Sequence, residues 1–244
     1  MTLPATLLDA GLLAWAEAAV EAGAVLTVAS EGYPLRWLEA FGDAAPPALW
    51  RRGGVPTIGW VGAVGSREVA PEVLDFMGRI GTQVASLGRG IVSGGAAGCD
   101  SAAERAALAA GGPVLRILPH GLSLRSEDDG ACHLALAAPD EPFSRPLAME
   151  RNALIYGAAD ATIVGHARMR AGGTWHGATD ALRRRLGRVL LRPDGSPVAR
   201  ALTSLGAEEL DDLDLLEDKL KANPHGRTLF AYERRLQRAR RGDA

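Results

Sequence analysis

Apolar and polar positions change their period several times along this chain, and the changes divide it into elements. From Leu3 to Ala22 the apolar residues recur at helical spacing, which predicts an amphipathic helix. A stretch punctuated by Pro34, Pro46, Pro47 and Pro56 reads as a connector. The apolar run from Thr57 to Val64 predicts the first clear strand, and Pro71 is well placed in the first turn of a helix reaching Leu87. Further strands are expected at Gly90–Ser93, Pro113–Leu118, Ala161–Gly165 and Arg188–Leu191, with helices at Asp100–Ala110, Pro146–Ala158 and Trp175–Leu186. Ser123 to Glu141 is polar and weakly periodic, so it is expected to be loop with a short helix around Cys132 to Ala137.

Strand and helix alternate at the spacing of a parallel sheet. The expected fold class is therefore α/β: a Rossmann-like, doubly wound, mainly parallel sheet flanked by helices, with a short N-terminal helical extension and a C-terminal helical tail. The expected boundaries are an extension and connector over 1–55, the Rossmann-like domain over 56–200, and a charged tail over 201–244. The 244 residues, 47% of them hydrophobic, suffice for one such domain with its own core.

Charge and cysteine usage narrow the function classes. Two cysteines, Cys99 and Cys132, are too few for a disulfide framework, and five dispersed histidines show no short metal-ligand spacing, so neither a metal nor a cofactor is expected. Asp9, Glu17 and Glu21 in the opening segment argue against a signal peptide, and its helical periodicity against a membrane span; the expectation is a cytoplasmic protein with no membrane partner. With 27 basic against 29 acidic residues, any nucleic-acid site must be a local patch. An acidic block from Glu208 to Asp218 is followed by Arg227, Arg234, Arg235, Arg238, Arg240 and Arg241. These read either as solvated faces or as a basic arm assisting nucleic-acid binding.

Two glycine-rich turns carry the candidate chemistry. Gly62-Ala63-Val64-Gly65-Ser66-Arg67 closes the first strand, and Ser93-Gly94-Gly95-Ala96-Ala97-Gly98-Cys99-Asp100 closes the second and opens a helix. Glycine permits close backbone approach, and unpaired amides at a helix start attract phosphate. Arg67 can neutralise phosphate, while Arg151 either contacts it or pairs with Asp100 or Asp160. Asp100 reads as a helix N-cap or a ligand contact, and Ser66 and Ser93 as turn hydroxyls or phosphate donors. Cys99 either fills an apolar slot or is a helix-start thiol of lowered pKa. Trp175 either packs or stacks on a base.

These motifs, in this order, resemble the DNA-processing protein A (DprA/Smf) family. The similarity begins at Tyr33-Pro34-Leu35-Arg36-Trp37-Leu38 and Pro46-Pro47-Ala48-Leu49-Trp50-Arg51-Arg52-Gly53. It continues through the two glycine turns to Glu150-Arg151-Asn152-Ala153-Leu154-Ile155 and Gly172-Gly173-Thr174, spanning roughly residues 33 to 195. The resemblance implies single-stranded DNA binding, help in loading a recombinase, self-association into a dimer, and no catalytic centre. The implied binding residues are Gly65, Ser66, Arg67, Ser93, Gly94, Gly95, Gly98, Asp100, Arg151, Asn152, Gly172, Gly173 and Thr174.

This chain also departs from the family pattern. Ala97 and Ala153 stand where the family carries arginines, and His166-Ala167 stands where it has Glu-Ala. Charge-assisted guanidinium bonds are worth about 1.5–3 kcal/mol each, so their loss calls for compensation by Arg168, Arg170 or the tail. An alternative is a binder of a free nucleotide or phosphate-bearing small ligand in the same crevice, as in the wider set containing phosphoribohydrolases and molybdenum-cofactor carriers. Ala171-Gly172-Gly173-Thr174 is similar to the phosphoribohydrolase glycine turn. The helix Trp175-His176-Gly177-Ala178-Thr179-Asp180 lacks a counterpart of their catalytic glutamate, which argues against hydrolysis.

Overall fold

The computed structural model of the chain describes residue 19 and residues 23–122 and 129–221. The helix expected over Leu3–Ala22 lies almost wholly outside the described residues, as does the arginine-rich segment beyond residue 221. The strands are β1 (Val25–Thr27), β2 (Ala48–Arg52), β3 (Trp60–Val64), β4 (Gly90–Ser93), β5 (Val114–Leu118), β6 (Cys132–Ala135), β7 (Ala161–Val164), β8 (Arg188–Leu191) and β9 (Glu208–Glu209). The helices are α1 (Arg36–Phe41), α2 (Pro71–Ser86), α3 (Cys99–Ala109), α4 (Arg145–Ala158), α5 (Gly172–Arg184), α6 (Pro197–Ser204) and α7 (Leu216–Lys221).

All these strands join one sheet in the order β1-β2-β6-β5-β4-β3-β7-β8-β9. Pairing is parallel from β6 through β9, and antiparallel only where β2 meets β1 and β6. The Rossmann-like α/β fold is therefore present. Its order turns back beside β3: the chain runs outward through β4, β5 and β6, then returns to place β7 on the other side. Beyond the carboxyl ends of β3 and β7 lies the switch-point crevice where such sheets place ligands.

Alternation along the strands explains why both faces are covered. Trp60, Val64, Val92, Leu115 and Val189 point to one apolar cluster, which includes Trp37 of α1, Leu154 and Ile155 of α4 and Ala178 of α5. Val61, Ala63, Ile91, Val114 and Ile163 point to the other, with Val73, Met77, Ile80 and Val84 of α2 and Ala103 of α3. Each fully buried aliphatic side chain contributes about 1.5–3 kcal/mol. A methyl group at Gly81 would collide with the Ala103 carbonyl, so glycine there lets α2 and α3 approach closely.

The structure corrects several local expectations. Cys132–Ala135 is not helical but forms β6, whose Leu115↔Cys132 to Leu118↔Ala135 register with β5 satisfies the backbone that the sequence pattern left unassigned. The proline-punctuated connector holds α1 and β2, and Tyr33 stands edge-on to Trp37 with ring centroids 5.3 Å apart. Helix α5 starts at Gly172, one turn before Trp175. Strands β1 and β2 precede residue 56 and β9 follows residue 200, yet all belong to the same sheet. Among the described residues, no helix is long and apolar enough to cross a membrane.

Candidate functional site

The two glycine turns meet at the switch point, held together by a carboxylate of the chain itself. Asp100, in the first turn of α3, is buried; its Oδ1 accepts the Gly65 N–H at 3.2 Å and its Oδ2 the Gly94 N–H at 3.1 Å. Two amides that the sequence offers to phosphate thus face an internal carboxyl group. Asp100 is not the N-cap expected of it: Gly98 is, at φ 81°. A side chain at Gly98 would strike the carbonyls of Ser66 and Arg67, so the two turns are in backbone contact. Cys99 N–H donates to the Ser66 carbonyl at 3.3 Å across this junction. Burial first, and then the neighbouring Glu104, push the Asp100 pKa up to about 7 against the pull of Arg151.

Arg151 supplies the cation. It rises from α4 so that its guanidinium lies over Gly94, where an added methyl would overlap it. Its Nε is sealed from solvent and has no hydrogen-bond partner among the described residues. Burial draws its pKa below the usual arginine value, Asp100 opposes that, and Arg67 adds to it. Asp100 is thus the charge that faces Arg151. Asp160, the other partner considered from sequence, instead pairs with Arg89 and, at 3.4 Å, with Arg36. Arg67 itself is exposed beyond β3.

The remaining expected residues divide by role. The Ser93 hydroxyl is buried, donates to Glu104 and accepts the Gly95 N–H at 3.2 Å, so it shapes the turn from beneath. Asn152 Nδ2 donates to the Gly173 carbonyl at 3.4 Å, which fastens the start of α5, with Gly172 and Thr174, to the helix carrying Arg151. Ser66 N–H donates to the His166 carbonyl at 3.0 Å, and Ser66 Oγ lies 2.9 Å from His166 Nδ1. In the loop between β7 and α5, Arg170 adopts φ 52°, unusual for a residue with a side chain, and Arg168 is exposed beside it.

Other chemistry recedes. Burial pushes the Cys99 thiol up to about 12, overturning the lowered-pKa alternative; the side chain fills the apolar slot beneath Gly65 and Gly165. Trp175 packs against the core at partial burial. No cluster of three or more potential metal ligands occurs among the described residues. An open groove of about 910 Å³ lies between α2 and Leu210–Asp214, but Glu72, Asp75, Asp211, Asp212 and Asp214 outnumber Arg79 and Arg192 along it, a balance unsuited to phosphate.

Sequence reasoning passed over the support of the Gly94 turn. Glu104 of α3 receives Ser93 on one oxygen and Arg116 Nε at 2.6 Å on the other, and Arg116 reaches on to Asp129 and, at 3.4 Å, to His133 Nε2. A lone arginine inside Val-Leu-Arg-Ile-Leu was the available signal, since a buried strand arginine requires a carboxylate partner.

A sequence profile of the DNA recombination-mediator protein A family matches residues 24–200. The chain belongs to that family. DNA processing protein A of Streptococcus pneumoniae is 25% identical over 79% of this chain and 73% of its own, with a TM-score of 0.69. The Helicobacter pylori protein, which binds single-stranded DNA, is 21% identical over 75% of this chain and 91% of its own, with a TM-score of 0.65. The molybdenum cofactor binding protein of Rippkaea orientalis shares the fold at 19% identity and a TM-score of 0.54, over 68% of this chain and 96% of its own. No curated protein matches. In this DNA recombination-mediator protein A family member, Asp100 and Arg151 are oppositely charged neighbours at the Gly94 turn.

Proposed function

We propose that this protein binds single-stranded DNA through its phosphate backbone at the switch-point crevice, without catalysing a reaction on it. The observation that carries this reading is the Arg151 guanidinium laid over Gly94 in a largely desolvated setting. A cation there gains most from an anion, and its terminal nitrogens, unlike Nε, are not sealed from a phosphate. Arg67 beyond β3, and Arg168 and Arg170 beyond β7, extend positive charge along the same edge of the sheet, which supplies the local patch that a net charge of -2 demands. Family membership supports the same reading, as does the single-stranded DNA binding of the Helicobacter pylori protein. Assistance to a recombinase, and self-association, belong to this proposal through the family.

The test is fluorescence anisotropy of labelled oligothymidine titrated with the protein at several salt concentrations, with a duplex of equal length as control. We expect submicromolar binding that prefers the single strand and weakens linearly with log salt. Arg151→Ala and Arg67→Ala should each weaken it with the fold retained by circular dichroism, Arg67→Ala also holding the thermal midpoint because Arg67 is exposed. Unchanged binding in both variants removes this site. No binding at low salt overturns the DNA reading in favour of a free nucleotide or another phosphate-bearing small ligand.

A further inference from the structure

We infer that His166 is a proton-dependent phosphate contact of this crevice. The inference rests on the phosphate-site reading and adds a residue and a pH response to it. Strands β3 and β7 are register partners up to Val64↔Val164, so Ser66 and His166, each two residues beyond, face one another across the switch point. The backbone is pinned there: Gly165 N–H donates to the Val64 carbonyl at 3.1 Å and Ser66 N–H to the His166 carbonyl at 3.0 Å. The ring is anchored through Nδ1, 2.9 Å from Ser66 Oγ. Nε2 has no hydrogen-bond partner among the described residues, and it is not sealed from solvent.

The serine anchor works in both protonation states. Against a neutral imidazole with its proton on Nε2, the Ser66 hydroxyl donates to Nδ1. Against an imidazolium, Nδ1–H donates to Oγ and the hydroxyl proton turns to the His166 carbonyl, 3.4 Å away. The ring therefore keeps its place while Nε2–H changes from a neutral to a cationic donor. Histidine is the side chain that makes this change near neutral pH.

Charged groups of several elements lie around this loop. Arg67 stands in the loop after β3, and Arg168 and Arg170 in the loop of His166 itself. Arg192, after β8, donates to the Gly165 carbonyl at 3.2 Å and pairs with Asp194 at 3.3 Å. Cys99 and Asp100 come from the start of α3, and Met77 of α2 contributes no charge. A phosphate at Nε2 favours the cationic donor over the neutral one, so binding takes up a proton and strengthens as pH falls.

The experiment is the anisotropy titration at pH 5.5 to 8, on wild type, His166→Gln and Asp100→Asn, together with NMR of the histidine imidazoles as inorganic pyrophosphate is added. The glutamine keeps a donor but does not titrate, and Asp100→Asn removes the neighbouring carboxyl group, whose pKa of about 7 falls in this range. We expect wild-type affinity for the oligonucleotide to rise about tenfold or more from pH 8 to 5.5, with the salt slope steeper by about 1. The rise should persist in Asp100→Asn and be lost in His166→Gln, and pyrophosphate should shift the His166 signals. His166→Gln retaining the wild-type pH dependence, or His166 signals unmoved by bound pyrophosphate, overturns the inference. His166-dependent pyrophosphate binding without oligonucleotide binding keeps it and overturns the DNA reading. Absence of binding to either probe at pH 5.5 overturns both.

Discussion

Glu104 and Arg116 form a buried ion pair, Arg116 Nε donating to Glu104 Oε2 at 2.6 Å, with side-chain exposures of 2% and 7%. The pair stands under the Gly94-Gly95 turn because the second Glu104 oxygen takes the Ser93 hydroxyl. Burial alone would lower the Arg116 pKa, but Glu104 and then Asp129 raise it, so the guanidinium stays charged in the core. Glu104→Ala leaves that charge without its main partner, a loss of about 3–5 kcal/mol. The double variant Glu104→Met with Arg116→Met should recover part of it in urea unfolding. Equal instability of single and double variants would show that the pair adds nothing beyond volume.

Asp100 gives stability a pH dependence of unusual sign. Its folded pKa of about 7 lies above the ordinary 3.8, so between pH 4 and 7 the native state holds a proton that the unfolded chain has released. The stabilisation from this residue is present below pH 4 and is lost as pH rises through 7. The difference in unfolding free energy between wild type and Asp100→Asn should therefore fall as pH rises across that window. A difference that grows with pH would mean that the carboxylate is held ionised by its amide donors.

Two glycines only four residues apart should respond oppositely to alanine. At Gly94 the new methyl meets the end of the flexible Arg151 side chain, which swings away. The thermal midpoint should barely move while oligonucleotide affinity falls about tenfold, one charge-assisted contact. At Gly98 the methyl meets two backbone carbonyls, and φ is 81°. Gly98→Ala should cost on the order of 1–3 kcal/mol of stability, read by urea unfolding.

Cys99 should be chemically silent while the protein is folded. With its thiol pushed up to about 12 and its side chain buried, it carries almost no thiolate at neutral pH. Its labelling by a thiol reagent at pH 7.5 should track unfolding, with Cys99→Ala identifying the signal; rapid labelling in native buffer would contradict the buried placement.

Much of the α/β frame was legible in the chain because its signals are local. Pro71 at a helix start, and the runs Gly90–Ser93 and Arg188–Leu191, required only the period of their own side chains, and the structure places those elements at the expected residues. β6 escaped because Cys-His-Leu-Ala has no alternation to read; it is a strand only because β5 and β2 offer hydrogen bonds on both sides.

For the site, the sequence alone fixed the two glycine turns, the arginines near them and the family they resemble, since spacing along the chain encodes each motif. Only the tertiary structure decided who partners whom. It gave the Gly65 and Gly94 amides to Asp100, laid Arg151 over Gly94, sent Asp160 to Arg36 and Arg89, and set His166 against Ser66. Those pairings join residues as many as 124 positions apart, as Arg36 and Asp160 are, and they arise from strand order and burial, which no local pattern specifies.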